Sequence, residues 1–149
     1  MDKFALVTGA SGLMGKYHLE ALAEMSYNLV LIDINSKKLD KLKKILRKKF
    51  KKLKILSYEC DIISEKQIKN LKQKLEKNKI FINCLVNNAD INPKMLSDKN
   101  NKNSKLENYK LDDLKKEMSV GILGTFNCCK FFGSTMANKK EGIIINISS

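Results

Sequence analysis

A glycine-rich turn near the amino terminus constrains the fold most strongly. The turn, residues 8–15, follows the apolar run 4–7 and leads straight into a helical pattern. Gly9 permits a tight turn, Gly12 lets the backbone approach a pyrophosphate, and Gly15 lets the helix pack close to the strand. The free N–H groups and the positive end of that helix would attract phosphate. Together the strand, turn and helix predict an anion cradle.

An acidic residue stands where such a turn would need one. Asp33 ends the next apolar run, residues 29–32, at about the 20-residue offset where a carboxylate can accept hydrogen bonds from an adenosine ribose. Glycine triplets also occur in ordinary turns, so the glycines alone are a weak indication. The preceding strand, the following helix and the acid together favour a dinucleotide-binding turn.

Apolar runs alternate with helical patterns along the chain. Strands are predicted near residues 3–8, 28–33, 53–58, 81–87 and 142–148, and helices near 13–25, 36–50, 64–78 and 111–138. Near-continuous apolar strands between helices are typical of a parallel sheet buried on both faces. Right-handed crossovers then give an α/β fold, a doubly wound parallel sheet in strand order 3-2-1-4-5. We expect one domain, residues 1–149, with a mobile surface loop at 93–110, where periodicity is lost.

The formal charge of +13 raises the question of a nucleic-acid partner. Most of the excess is lysine, it concentrates between Lys37 and Lys54, and Arg47 is the only arginine. Apolar residues recur there at three- and four-residue steps, which indicates an amphipathic helix with a solvated basic face. A nucleic-acid surface would usually add arginines or exposed aromatic residues. We therefore expect no specific nucleic-acid partner, and weak, salt-sensitive binding to polyanions is the least favoured function.

The four cysteines, Cys60, Cys84, Cys128 and Cys129, show neither metal-ligand spacing nor the framework of a secreted protein. The last three fall in apolar or helical patterns and are expected to pack in the core. The only histidine, His18, is expected on a helix surface, so no metal site is predicted. The chain begins without a signal-peptide pattern and has no apolar run that could span a bilayer, which favours a cytoplasmic protein without a membrane partner.

Five motifs occur in an order that resembles the short-chain dehydrogenase/reductase family, from Lys3 to the last residue. They are the glycine turn, Asp33, Cys60-Asp61-Ile62 after the third strand, Leu85-Val86-Asn87-Asn88-Ala89 at the end of the fourth, and the run 142–149, which ends in Ser148-Ser149. One motif could arise by chance, whereas the ordered series is a strong resemblance. It implies a Rossmann fold and an NAD(P)-dependent oxidoreductase.

The resemblance also implies which residues hold the adenosine half of the cofactor. The pyrophosphate cradle would comprise Gly9, Ser11, Gly12, Leu13, Met14 and Gly15. Asp33 would hold the ribose hydroxyls, and its charge would repel a 2′-phosphate, which favours NAD over NADP. Lys37 and Lys38 lie close enough in sequence to weaken that preference.

Further residues are implied at the ends of the third and fourth strands. Asp61 and Ile62 would contact the adenine, and Asn88 and Ala89 would line the cofactor near its nicotinamide-side ribose. Asn87 is expected to bond a neighbouring strand instead. For each Asp or Asn taken alone, strand-end turn chemistry is the favoured interpretation, and only their joint occurrence favours a binding role.

Two positions depart from the family pattern. Asp90 stands where a glycine usually completes Asn-Asn-Ala-Gly, and Gly121 stands where the following helix often carries an active-site asparagine. An aspartate can still adopt the left-handed turn conformation. The Val120-Gly121 variant, with Asn92-Pro93-Lys94, resembles a bacterial subgroup associated with surface-sugar and nonulosonic-acid biosynthesis, which suggests a sugar as the alcohol or carbonyl substrate.

Ser149 aligns with the family's catalytic serine, which hydrogen-bonds the substrate oxygen. The family's Tyr-x-x-x-Lys acid/base pair should follow it, but no tyrosine of this chain, at 17, 27, 58 or 109, has a lysine four residues on. We therefore expect the cofactor-binding part of a truncated enzyme, inactive on its own, whose full-length form is a homo-oligomer. A non-catalytic dinucleotide-sensing module is the main alternative.

Overall fold

A computed structural model describes residues 2–91 and 105–148 of the chain. Its elements in chain order are β1 (Phe4–Thr8), α1 (Gly15–Glu24), β2 (Asn28–Asp33), α2 (Ser36–Lys49), β3 (Ile55–Glu59), α3 (Glu65–Lys77), β4 (Ile82–Asn87), a 3-10 turn (Leu106–Asn108), the continuous helix α4 (111–139) and β5 (Ile143–Asn146). The strands form one parallel sheet in the order β3-β2-β1-β4-β5. This confirms the predicted α/β fold and its strand order.

Helix α4 is the longest element and has an irregular hydrogen-bond pattern. It runs through the consecutive segments Leu111–Met118, Ser119–Gly124, Thr125–Cys128, Cys129–Gly133 and Ser134–Lys139. The second and fourth segments are π-helical, with wider turns than an α-helix. The predicted helix at 111–138 is thus confirmed, with two π segments that the periodicity did not indicate.

Sequence-coded caps explain where α2 and α3 begin. The Asn35 side chain accepts a hydrogen bond from the N–H of Lys38 at 3.0 Å, and Ser64 accepts one from the N–H of Gln67 at 3.4 Å. These side chains satisfy N–H groups that have no partner within the first helical turn. In α2 the buried residues are Leu39, Leu42 and Leu46, which confirms that this lysine-rich segment forms the predicted amphipathic helix.

The sheet separates two apolar cores. One contains α1 and α2 with Leu29 and Leu31, and the other contains α3 and α4 with Leu6 and Leu85. The expectation of strands buried on both faces holds for β1 and β4, but β5 is exposed along its whole length. The edge position alone does not account for this exposure, because β3 lies at the other edge of the sheet and is buried or half-buried except at its last residue. The loop predicted at 93–110 lies outside the described residues up to 104, and 106–108 form the 3-10 turn.

Candidate cofactor site

Two glycines of the turn between β1 and α1 are required by their surroundings. Gly9 has a φ of 59°, and a β-carbon there would lie 2.7 Å from the Cα of Ala89. A β-carbon on Gly15 would lie 2.5 Å from the carbonyl oxygen of Ala10 and 2.6 Å from that of Gly9. The backbone therefore passes close to β4 on one side, while α1 starts tightly against the turn.

The amino terminus of α1 has no side-chain cap. Met14 at the N-cap makes no side-chain capping bond, and the first turn carries no acidic residue. The N–H of Gly12 donates to the carbonyl oxygen of Gly9 at 3.0 Å, which closes the turn before the helix begins. Leu13 and Met14 are exposed beside it. An uncapped helix end of this kind favours an anion such as a phosphate.

Asp33 is joined directly to the glycine turn. Its Oδ2 accepts a hydrogen bond from the N–H of Ser11 at 2.9 Å and one from the Ser11 hydroxyl at 2.8 Å. Its Oδ1 accepts from the N–H of Asn35 at 3.0 Å. The carboxylate at the end of β2 is thereby fixed next to the anion cradle, and its remaining lone pairs can accept hydroxyl groups from a ligand.

The end of β4 supports the turn from the other side. The Thr8 hydroxyl accepts hydrogen bonds from the N–H groups of Asn88 and Ala89, both at 2.9 Å. The Asn88 amide donates to the carbonyl oxygens of Thr8 at 3.0 Å and Gly9 at 3.2 Å. The structure thus brings Asn88 and Ala89 to the turn, where the Asn88 side chain stabilises the loop itself.

Thr8 is a site residue that the sequence reasoning did not single out. Its side chain is completely buried and joins β1 to the end of β4. A threonine that ends an apolar strand is a signal for such a role, since its hydroxyl must find partners when buried.

Asn87 behaves as expected. Its Nδ2 donates to the Oδ1 of Asn146 on β5 at 2.8 Å and to the Sγ of Cys129 at 3.4 Å. Its own Oδ1 is buried and has no partner among the described residues. Asn87 therefore links β4, β5 and α4 beneath the site.

Asp61 and Ile62 lie on the loop after β3, apart from the glycine turn. The Oδ1 of Asp61 accepts from the N–H of Ile63 at 3.0 Å, and its N–H donates to the Gln67 side chain at 2.9 Å. The Ile62 side chain is buried, and a β-carbon on Gly124 would lie 2.5 Å from it. A ligand at this loop would therefore meet the Asp61 carboxylate and the backbone of Ile62.

The cysteines are core residues rather than reactive groups. Cys60, Cys84 and Cys128 are buried and Cys129 is half-buried, and all four are free thiols. Burial, together with the nearby Asp61 charge, raises the pKa of Cys60 to about 11. Burial also raises the pKa of Cys84 and of Cys128. These thiols stay protonated at neutral pH, which makes them poor nucleophiles.

The structure also locates His18, the only histidine. His18 is half-buried rather than fully on the surface, and its Nε2 is buried with no partner among the described residues.

Within residues 2–91 and 105–148, no three His, Cys, Asp or Glu side chains come together as a metal site. In the same ranges no helix combines the length and apolar character needed to cross a membrane. Ser149 and the Asn92-Pro93-Lys94 motif lie outside the described residues.

Comparison with known proteins decides the family. The sequence model of the short chain dehydrogenases matches residues 3–149. The chain belongs to the short chain dehydrogenase family. The sugar-biosynthesis subgroup is not identified by this match.

Relatives agree in sequence and in structure. The 15-hydroxyprostaglandin dehydrogenase [NAD(+)] of Rattus norvegicus is 33% identical over 147 residues, which cover 99% of this chain and 50% of the relative. The crystal structure of an NAD+-bound xylitol dehydrogenase matches 99% of this chain and 53% of its own with a TM-score of 0.82 and 27% identity. A gluconate 5-dehydrogenase from Burkholderia cenocepacia, in complex with NADP and tartrate, matches 100% and 55% with a TM-score of 0.83 and 27% identity. The chain spans about half the length of the curated relatives that it matches.

Proposed function

We propose that the chain binds a nicotinamide dinucleotide across the carboxyl edge of its sheet, as the cofactor-binding part of an oxidoreductase. The observation that carries the proposal is the direct bond between the glycine turn and Asp33, made by the N–H and hydroxyl of Ser11. The open turn and the uncapped end of α1 fit a pyrophosphate, because a β-carbon at Gly9 or Gly15 would obstruct the backbone path that forms the cradle.

The strand order supports one orientation of the cofactor. All strands are parallel, but the order in which the chain adds them changes side between β1 and β4, and ligands of doubly wound sheets bind at that point. Asp33 lies on the β2 side, where it can accept hydrogen bonds from the adenosine ribose. Asn88 and Ala89 lie on the β4 side, where the nicotinamide-side ribose would be bound. Asp61 would accept from the adenine amine, with the Ile62 backbone beside it.

We propose NAD rather than NADP as the cofactor. In the proposed orientation the Asp33 carboxylate, which is fixed by Ser11, would lie next to the 2′-position of the adenosine ribose, and its negative charge would repel a 2′-phosphate. The named relatives include an NAD+ complex and an NADP complex, so the preference rests on Asp33 itself. Lys37 and Lys38, at the start of α2, oppose it only by their general positive charge.

The reaction we propose is hydride transfer between the nicotinamide and a small alcohol or carbonyl compound, for which a sugar is our narrowest suggestion. The cofactor would supply the hydride acceptor or donor. Ser149 would hydrogen-bond the substrate oxygen. No Tyr-x-x-x-Lys occurs in these 149 residues to exchange a proton with that oxygen. We therefore expect the 149-residue chain to bind cofactor without turnover. We propose that the enzyme is a cytoplasmic homo-oligomer.

Titration calorimetry with NAD+ and NADP+ tests this proposal. We expect the parent chain to bind NAD+ more tightly, Asp33→Ala to lose most of that preference, and Gly12→Val to bind neither because its side chain blocks the approach of the pyrophosphate. Lys44→Ala, on the exposed face of α2 opposite Leu39, Leu42 and Leu46, serves as a control and should behave as the parent. Equal or tighter binding of NADP+ by the parent would reject the preference, and unchanged binding by Gly12→Val would move the cradle elsewhere.

A dinucleotide-sensing module, which would bind the same cofactor without turnover, is the second candidate. Both functions require the same binding site. The two functions differ in whether a chain extended through a Tyr-x-x-x-Lys helix catalyses turnover. Turnover of hydroxy sugars and ketones is measured by the absorbance of the reduced nicotinamide. Binding without turnover in that extended chain would favour the sensor.

A further inference from the structure

The two departures from the family pattern, Asp90 and Gly121, face each other in space. A β-carbon built on Gly121 would have the Oδ1 of Asp90 as its nearest neighbour, at 3.7 Å. The two residues are far apart in sequence, since Asp90 follows β4 and Gly121 lies in the π segment Ser119–Gly124 of α4. The Asp90 carboxylate therefore lies beside the backbone of α4 at Gly121, a position without a side chain.

Gly121 leaves the room that the carboxylate uses. A single β-carbon would be in ordinary van der Waals contact with Oδ1, but a longer side chain at 121 would extend into the space of the Asp90 carboxylate. Compared with the family pattern, the polar side chain is absent from the helix at Gly121 and present at Asp90, after the end of β4. The exchange also replaces a neutral amide of the family pattern with a negative charge.

That charge is weakly compensated. The Oδ1 of Asp90 accepts one hydrogen bond, from the N–H of Ile91 at 2.8 Å, and the residue is exposed. Asp33, by contrast, accepts three hydrogen bonds from Ser11 and Asn35. Within residues 2–91 and 105–148 no lysine, arginine or histidine forms an ion pair with Asp90.

Its position points to one half of the proposed cofactor. Asp90 follows Ala89, whose Cα lies against Gly9 on the β4 side of the turn. That side is opposite Asp33 and, under the proposed function on which this inference rests, receives the nicotinamide. The nicotinamide ring carries a positive charge when oxidised and none when reduced, so a nearby carboxylate interacts differently with the two forms.

We propose that Asp90 determines redox-state specificity: its carboxylate, accommodated by Gly121, favours binding of NAD+ over NADH. A single charge near a protein surface, screened by solvent, changes an affinity by roughly threefold to tenfold. The change in the ratio of the two dissociation constants on substitution of Asp90 isolates this effect, because the other groups of the site are the same in the parent and the variant.

Calorimetric titration of the 149-residue chain with NAD+ and with NADH measures the ratio. We expect Asp90→Asn, which keeps the size and removes the charge, to shift the ratio toward NADH by about threefold to tenfold, and Asp90→Glu to keep the parent ratio. Asp112→Asn is the matched control: it removes the same charge from the exposed first turn of α4, nine residues before Gly121, and should leave the ratio unchanged. The shift should also shrink in high salt.

The outcomes separate the two proposals. An unchanged ratio in Asp90→Asn, with both forms still bound, overturns the role of Asp90 and leaves the proposed function standing. A shift equal to that of Asp112→Asn attributes the effect to net charge and also overturns it. Failure of the folded parent to bind either form overturns both. Circular dichroism of each variant identifies any loss of fold, and Asp90→Glu supplies the second, charge-retaining comparison.

Discussion

At the residue scale, the glycine turn owes its shape to contacts within the protein as much as to any ligand. Gly9 combines a left-handed φ of 59° with a backbone contact to Ala89 that leaves no room for a β-carbon. Gly121 is the opposite case, because it lies in a helix, is exposed, and has its nearest neighbour at an ordinary contact distance. The two glycines therefore respond differently to the same substitution.

We expect Gly9→Ala to lower the free energy of unfolding by about 1–3 kcal/mol, because alanine is strained at this φ and its methyl group overlaps Ala89. Gly121→Ala, the matched control, should leave stability unchanged or raise it by up to about 1 kcal/mol, because alanine is the better helix former. Urea denaturation followed by circular dichroism measures both. Equal stability of Gly9→Ala and the parent would contradict the described turn.

The sequence indicated the glycines and Asp33, because their spacing reflects backbone needs that are local. It did not indicate the partners of these residues. Ser11 donates to Asp33 and Asn88 donates to the Thr8 hydroxyl, and both bonds join residues that are distant in sequence. Side-chain hydrogen bonds of this kind depend on the register of neighbouring strands. Asp90 and Gly121 were recognised as departures, but their proximity required the fold.

At the element scale, one buried amide fixes α4 to the loop after β3. Asn127 is 8% exposed, and its Nδ2 donates to the carbonyl oxygens of Ile62 at 2.9 Å and Ile63 at 3.0 Å. Close packing of Gly124 against Ile62 brings the helix within reach of that loop. Asn127 thus satisfies two carbonyl groups that the sheet and helices leave unpaired.

We expect Asn127→Ala to lower the free energy of unfolding by about 1–3 kcal/mol, because it leaves these carbonyls without a donor. Asn78→Ala serves as the control, since Asn78 also donates to a carbonyl, that of Lys74 at 2.7 Å, but is exposed so that water can replace it. Its effect should stay within about 0.5 kcal/mol. A small effect of Asn127→Ala in urea denaturation would show that water reaches the loop.

Element positions were predictable where periodicity and caps agree. Helices α2 and α3 begin beside Asn35 and Ser64, which are good capping residues, and their apolar stripes fix the buried face. The π segments of α4 and the exposure of β5 were not predictable. The π segments continue an apolar pattern that fits an ordinary α-helix, and an apolar strand gives the same sequence pattern whether or not other elements cover it.

At the scale of the whole molecule, the core on the α3 and α4 side contains two thiols, Cys60 and Cys128, among its apolar residues. Burial dominates the rise in their pKa, to about 11 for Cys60 from an ordinary value of 9.0. The folded state therefore holds these protons at a pH where the unfolded chain releases them. Its stability depends on pH for that reason.

We expect the free energy of unfolding to be independent of these thiols below about pH 9 and to fall between about pH 9 and 11. The sign follows because in that window the unfolded state binds fewer protons than the folded state, so rising pH favours unfolding. Denaturation curves from pH 7 to 11 measure the slope, and lysine titration contributes to it as well.

The comparison with Cys60→Ser isolates the contribution of the thiol. Serine does not ionise in this range, so the variant, whatever its stability at pH 7, should lose less free energy of unfolding on going to pH 11. An identical slope in the variant would mean that Cys60 titrates as an exposed thiol and that this side of the core admits water.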